Sequence, residues 1–186
     1  MNEREVLDLL EAAGAVRSGH FLLSSGKHSG VYVEKARMFE RPADTMRLAD
    51  EVASWHDGVD VVVSPAVGAV PFGFAVALAS GARFVYAERE DGPMAFRRGF
   101  RLEPGERALV VEDVVTTGGS AAEVRELVEA AGAEALGVAA MVDRSVEPVA
   151  FAFRALARIE AEVFERADCP LCRDGVPLES PGSRHG

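Results

Sequence analysis

The stretch Leu109-Val110-Val111-Glu112-Asp113-Val114-Val115-Thr116-Thr117-Gly118-Gly119-Ser120 decides the fold of this 186-residue chain. Its apolar, β-branched start, over 108–112, reads as a buried strand. Two adjacent carboxylates end that run, a turn of hydroxyls and glycines follows, and a helical pattern occupies 121–131. Such an order delivers Glu112 and Asp113 to the carboxyl edge of a sheet. The turn over 116–120 then turns backbone N–H groups, and the positive end of the next helix, toward an anion. Gly118 and Gly119 let the backbone bend and approach closely without a Cβ in the way. Thr116, Thr117 and Ser120 add hydroxyl donors. A phosphate in the turn, with a polyol gripped by two carboxylates one step back, has the shape of ribose 5-phosphate. The competing reading is an ordinary strand–turn–helix whose acids only cap the helix. A Walker-type loop is excluded because it needs Gly-Lys-Ser/Thr after its glycines, and no lysine lies nearby. A dinucleotide fingerprint needs a glycine triplet, and only a pair is present.

Outward from this run, apolar segments alternate with helical ones. The spacing predicts strands over 59–64, 84–87 and 136–142, with helices from Pro42 to about 55 and over 70–79; 151–159 is another strand candidate. Continuous apolar strands separated by helices argue for a parallel sheet covered on both faces. At the N-terminus, 3–13 has helical spacing, with Asn2 as N-cap and Gly14 as stop. Phe21-Leu22-Leu23 and Val31-Tyr32-Val33 are strand-like and joined by a turn-rich link, as in a hairpin. This piece stands outside the alternation and is expected to fold over the carboxyl edge of the sheet, where open α/β sheets bind ligands. The last twenty residues, with Pro170, Pro177 and Pro181, read as an irregular tail.

Composition narrows the function classes. The net charge of −10 disfavours nonspecific nucleic-acid binding, which depends on Lys and Arg neutralising phosphates. No apolar run approaches the roughly 20 residues of a membrane span, and no basic, apolar leader precedes Glu3, so the expectation is a cytoplasmic globule. Lys27 and Lys35 are the only lysines among 20 cationic side chains, so a site needing a cation must mostly use arginine.

Three further segments are candidates. Ser64-Pro65-Ala66-Val67-Gly68-Ala69-Val70-Pro71 follows a strand and precedes a helix, as an anion loop does or as any tight βα turn does. Residues 88–98 form a charged, irregular stretch between strands. Asp143-Arg144 closes the strand 136–142, where Arg144 could pair with Asp143 or Glu147. Cys169-Pro170-Leu171-Cys172 lacks a second CxxC and a histidine at finger spacing. Reduced structural cysteines and a metal shared across a dimer both remain open.

The run 109–120 resembles the phosphoribosyl-pyrophosphate (PRPP) signature of the type I phosphoribosyltransferases. Phe21-Leu22-Leu23-Ser24-Ser25-Gly26-Lys27-His28-Ser29 and Asp143-Arg144 resemble segments of the orotate-using branch of that family. The Cys169–Cys172 segment, with Pro181-Gly182-Ser183-Arg184, resembles the tail of some of its members. The resemblance spans about 19–184.

It implies an α/β fold: an open parallel sheet with helices on both faces and a small N-terminal hood. One domain over 1–186 is expected, with 1–35 contributing most of the hood. It also implies transfer of the phosphoribosyl group from PRPP to orotate, giving orotidine 5′-monophosphate and pyrophosphate. Mg²⁺ is the implied cofactor, held mainly through PRPP and water.

The implied catalytic residues are Asp113, Glu112 and Arg89. PRPP falls to Glu112, Asp113, Val114, Val115, Thr116, Thr117, Gly118, Gly119, Ser120 and Arg89, with Ala66, Val67 and Gly68 contributing backbone N–H groups. Orotate falls to Thr116, Arg144 and Lys27. A loop over 88–98 is implied to act on the neighbouring site of a homodimer. Two departures from the family pattern bear on the chemistry: no lysine stands near Gly68, and the loop has only Arg89, Arg97 and Arg98 as cations. The rivals are a purine or xanthine transferase and a PRPP-sensing regulator. The first has no base carboxylate for Arg144; the second needs a DNA-binding extension or basic face that this acidic chain does not offer.

Overall fold

The structure, a computed structural model, describes residues 1–23, 25–89 and 92–181. The chain opens with α1 (Glu3–Ala12), started by a reciprocal cap: Asn2 Oδ1 accepts from the Glu5 N–H at 3.0 Å and Glu5 returns a carboxylate oxygen to the Asn2 N–H at 2.9 Å. β1 (Val16–Leu22) and β2 (His28–Val33) pair as an antiparallel hairpin. A short α2 (Ala36–Phe39) leads to α3 (Pro42–Ala53), with Pro42 in its first turn where the missing N–H costs nothing. Then come β3 (Val61–Pro65), α4 (Val70–Ser80), β4 (Arg83–Arg89), β5 (Met94–Phe96), β6 (Arg107–Val115), α5 (Gly119–Ala130), β7 (Glu134–Asp143) and β8 (Arg154–Arg158). β9 (Val163–Phe164) and α6 (Pro170–Arg173) lie in the C-terminal segment.

Six strands form the main sheet in the order β5-β4-β3-β6-β7-β8, parallel except for β5 at the edge. Alternate residues of the central strands feed two separate cores. Val62, Leu109, Val111, Ala139 and Met141 pack with α1, α3 and α4, whereas Val61, Val63, Ala108, Val110 and Val138 pack with α5. Coverage on both faces is why these strands read as unbroken apolar runs.

From β3 the chain moves outward to β4, then returns to the other side of β3 to lay down β6. The loops after β3 and β6 therefore leave the sheet in opposite directions. A crevice opens between them at the carboxyl ends, the topological switch point where open α/β sheets bind ligands.

The structure corrects several expectations. β6 runs three residues past Glu112, because Val114 and Val115 still pair with Val142 and Asp143 of β7. α5 starts at Gly119, two residues earlier than the apolar spacing indicates. Only Arg154–Arg158 of the candidate 151–159 is strand; Phe151 and Phe153 pack instead against the α5-side core. The stretch 88–98 is not wholly irregular, since β4 and β5 pair as a hairpin with Arg89 opposite Met94.

The C-terminal segment is no loose tail. β9 pairs with β2, completing a three-stranded hood sheet in the order β1-β2-β9. Beyond α6, Leu22 N–H donates to the Glu179 carbonyl and Glu179 N–H donates to the His20 carbonyl, each at 2.8 Å. The hood thus draws one strand from the far end of the chain. Of the Pro181–Arg184 resemblance, positions 182–184 lie outside the described residues, as does Ser24.

Candidate active site

Glu112 and Asp113 lie inside β6, the first 8% exposed and the second 1%. Asp113 Oδ1 accepts from its neighbour's Val114 N–H at 2.6 Å and from Lys35 Nζ at 2.9 Å. Lys35 Nζ also stands 2.7 Å from Oδ2, which has an ion-pair contact there but no aligned hydrogen bond. Asp113 N–H donates to Glu112 Oε1 at 3.2 Å. Burial, and then the Asp113 charge beside it, push the Glu112 carboxyl up to about 8.

The loop after β3 comes to the same point. A Cβ on Gly68 would lie 2.5 Å from Lys35 Nζ and 2.6 Å from Asp113 Oδ2, so any other residue here would have to displace this pair. Ala66 and Gly68 are half-buried and Val67 is exposed; the Ala66–Val67 peptide is cis. Residues 66–68 thus sit across the switch point from β6, in position to turn backbone toward whatever Asp113 faces.

Beyond Val115, residues Thr116 to Ser120 wrap a small concavity that Glu112, Val114 and Val115 also line. Gly118 adopts φ 77°, the left-handed region, and caps α5. A Cβ there would come 2.5 Å from Val149 Cγ1, so both conformation and space require glycine. The first N–H groups of α5 have no partner within the helix and point into this turn. The Val115 side chain is buried, so its part in such a site is through the backbone.

Arg144 follows β7, with its N–H donating to the Val115 carbonyl at 2.8 Å. Of its two candidate carboxylates, Asp143 is taken, accepting from Arg158 at 3.0 Å and from Ser145, and Glu147 makes no pair with it. Among the described residues the Arg144 guanidinium has no carboxylate partner. Burial draws its pKa below the ordinary value, with the Tyr32 phenol acting the other way. Burial likewise raises Tyr32, helped by Glu34 and opposed by Arg144 and Lys35. The hood thus brings Tyr32 to Arg144, beside the turn that carries Thr116.

Two sequence candidates stand elsewhere. Lys27 is in the hairpin turn and pairs with Glu165 of the C-terminal segment at 2.8 Å, with both side chains largely exposed. Arg89 is at the end of β4, where it pairs with Glu123 of α5 and donates to the Gly92 carbonyl at 3.0 Å. Glu123 also accepts from the Met94 N–H at 3.1 Å, which ties the hairpin to α5. Residues 90 and 91 of the 88–98 stretch lie outside the described residues. Sequence reasoning missed Lys35; its signal was the scarcity of lysine in the chain.

A buried carboxylate pair, a hydroxyl- and glycine-rich turn on a helix N-terminus and a glycine loop meeting at a switch point are the parts of a phosphoribosyltransferase. Residues 36–153 match the phosphoribosyl transferase domain. Relatives over nearly the full length narrow the class. The orotate phosphoribosyltransferase of Caldanaerobacter subterraneus subsp. tengcongensis is 45% identical over 188 residues, covering 99% of each chain. That of Thermotoga petrophila is 48% identical, covering 96% of this chain and 98% of its own. The crystal structure of orotate phosphoribosyltransferase from Aeropyrum pernix superposes with a TM-score of 0.68 at 25% identity, over 83% of this chain and 93% of that one. The Mycobacterium tuberculosis enzyme in complex with inorganic phosphate gives 0.64 at 29%, over 83% and 96%. The chain belongs to the orotate phosphoribosyltransferase family, and so to the pentosyl-transferring enzymes of pyrimidine nucleotide synthesis.

Proposed function

We propose that the crevice between the β3 and β6 loops transfers the 5-phosphoribosyl group of PRPP to orotate, with the roles that follow. The 5-phosphate sits in the turn 116–120 on the N-terminus of α5, held by backbone N–H groups and the hydroxyls of Thr116, Thr117 and Ser120. The ribose hydroxyls meet Glu112 and Asp113. The pyrophosphate lies toward the backbone of Ala66, Val67 and Gly68, with Lys35 supplying the positive charge that no lysine of that loop provides.

In the reaction the anomeric C–O bond to pyrophosphate breaks and a bond from the base nitrogen to the same carbon forms. Positive charge gathers on the ribose ring between these events. Asp113, fixed by Val114 N–H and Lys35, is a preorganised negative group facing that charge, so catalysis rests on positioning and electrostatics. Glu112 becomes a second such group when it gives up the proton that burial makes it keep. Carboxylate oxygens are the donors Mg²⁺ takes, but Lys35 already stands 2.7 Å from Asp113 Oδ2, so the ion would be held mainly through substrate oxygens and water. Bound Mg²⁺ supplies charge neutralisation for the departing pyrophosphate.

The observation favouring orotate as the base is Arg144, a partly desolvated guanidinium without a carboxylate partner among the described residues. A planar guanidinium can meet the orotate carboxylate with two parallel hydrogen bonds. Thr116 adjoins it through the Val115–Arg144 pairing. Lys27 reaches the base only by leaving Glu165. A neutral purine would leave Arg144 unanswered.

Assembly as a homodimer is part of the reading. α4 presents Phe74 at 59% and Leu78 at 64% exposure, and with Phe39, Met46 and Pro71 they form an apolar surface groove. Such a patch is ordinarily covered in an oligomer. Arg89, at the end of β4, would then act on the neighbouring site. A cytoplasmic setting fits substrates of this kind, and no helix among the described residues is long and apolar enough to cross a membrane.

The deciding experiment offers PRPP and Mg²⁺ with orotate, uracil, adenine, hypoxanthine and xanthine in turn, and follows pyrophosphate release. Orotate alone should be consumed. Release with a purine at a rate equal to that with orotate would overturn the assignment, and no release with any base would favour a PRPP-sensing protein.

A further inference from the structure

Far in sequence from the Glu112–Ser120 turn, four side chains converge in the hood. His20 comes from β1, His28 from the start of β2, and Cys169 and Cys172 flank and enter α6. Each offers one ligand atom, and these four atoms all lie within 4.8 Å of one another. His20, His28 and Cys169 are buried.

The spacings are those of a coordination shell. His20 Nε2 is 2.8 Å from His28 Nδ1, 3.5 Å from Cys169 Sγ and 3.7 Å from Cys172 Sγ; His28 Nδ1 is 3.3 Å from Cys172 Sγ. A tetrahedral zinc with bonds of about 2.0 Å to nitrogen and 2.3 Å to sulfur separates its ligand atoms by about 3.3–3.8 Å. To match, the two nitrogens open by about half an ångström and the widest pair, within 4.8 Å, closes by about one, which side-chain rotation can supply.

Hydrogen bonding explains the cluster poorly. The Val176 carbonyl, 2.8 Å from His20 Nδ1, can only accept, so that nitrogen carries the proton. His20 Nε2 is then left with a single lone pair, and a ring nitrogen and two sulfurs all crowd toward it. One cation at the centre satisfies all four at once. The Val176 contact is the outer partner that fixes a ligating imidazole in its tautomer. Two thiolates and two neutral imidazoles balance a divalent charge, so the filled site can be buried without net charge.

We propose that His20, His28, Cys169 and Cys172 bind one structural zinc ion within a single chain, clasping the C-terminal segment to the hood. Soft sulfur with imidazole nitrogen in a tetrahedral set selects zinc over the oxygen-seeking Mg²⁺ and Ca²⁺. The clasp has a mechanical purpose. β9 is two residues long and α6 is four, too short to hold themselves in place. The hood they complete carries Tyr32 toward Arg144 and leads through β2 to Lys35. No step of the transfer reaction involves this ion.

The test is metal analysis of the whole protein purified without chelator from zinc-supplied cells, together with growth in cobalt. One zinc per chain is expected, and the cobalt form should show the intense visible bands of a tetrahedral site with sulfur-to-cobalt charge transfer. Cys172→Ser and His28→Ala should each cut zinc content by about tenfold or more. Chelation at high temperature should lower the melting temperature of the wild type but leave Cys172→Ser unmoved. Wild-type protein that is folded and active yet holds only a trace of zinc and gives no tetrahedral cobalt spectrum would overturn the proposal. So would a Cys169–Cys172 disulfide in that protein, or half an equivalent of zinc per chain, which would mean an ion shared between two chains. The wild-type measurements keep the proposal testable even where a variant does not fold.

Discussion

Lys35 Nζ lies 2.9 Å from Asp113 Oδ1 and 2.7 Å from Oδ2, joining the segment after the hood to the carboxyl-terminal part of β6 across 78 positions of sequence. Asp113 is almost wholly buried, whereas the Lys35 side chain is 40% exposed. Removing the lysine leaves a buried carboxylate that water reaches from one side only. Lys35→Ala should cost about 1–3 kcal/mol of stability, and PRPP affinity should fall with it. Asp113→Asn keeps the shape and loses the charge, so the fold should survive while turnover drops by about 10²-fold or more. Steady-state kinetics beside thermal melts separate the two effects. Near-normal turnover with asparagine at 113 would remove this carboxylate from the chemistry.

Glu112 titrates the other way from a surface acid. Its folded value of about 8 lies above the ordinary 4.5, so between those pH values the folded protein keeps a proton that the unfolded chain has released. Its contribution therefore favours folding less as pH rises from about 4.5 to about 8, and is constant beyond. Because Asp113 adjoins it, the transition belongs to the pair. Glu112→Gln should melt higher than wild type, by a margin that is small at pH 5 and grows toward pH 8. At roughly 2–4 °C per kcal/mol, a gain of several degrees is expected. A margin independent of pH would show that Glu112 is ionised in the folded protein.

On the proposed reading, Arg144 selects the base. Removing one partner of a desolvated, hydrogen-bonded charge pair costs about 2–5 kcal/mol. Arg144→Ala should weaken orotate binding by roughly thirty- to several-thousand-fold, while PRPP binds almost as before. Arg144→Lys should rescue poorly, because an ammonium lacks the fork. Titrations with each substrate separately decide it; weakened PRPP with unchanged orotate would assign Arg144 to the pyrophosphate.

Arg89 is paired with Glu123, and on the proposed reading it exchanges that partner for substrate. Arg89→Ala should lower turnover by about tenfold or more, with little change in melting temperature, since the pair it breaks is partly exposed. Mixed with Asp113→Asn chains, it should regain activity, because one hybrid site then holds both groups intact. Hybrids shown to have formed but still inactive would mean that the hairpin serves its own chain, or that Arg89 is not needed.

The strand–turn–helix proposed to hold PRPP was legible because everything it needs is consecutive. One strand, one turn and one helix start bring Glu112, Asp113 and residues 116–120 together through local geometry. The boundaries shifted where pairing with β7 carried β6 through Val115, a contact the chain's own periodicity does not encode. Lys27 was singled out over Lys35 from its place in the hood resemblance. Yet in the fold Lys27 meets Glu165, and it is Lys35 that meets Asp113.

By itself, the sequence determined the layered α/β sheet and the glycine turn that starts α5, since unbroken apolar strands require cover on both faces and glycine permits what other residues do not. Tertiary structure alone decided which distant side chains share a point in space. The order of strands sets the Gly68 loop against Asp113. The register of β1 on β2, with the return of the C-terminal segment, sets His20 and His28 against Cys169 and Cys172. Such contacts depend on how whole elements pack, a property of the assembled sheet that no stretch of neighbouring residues carries.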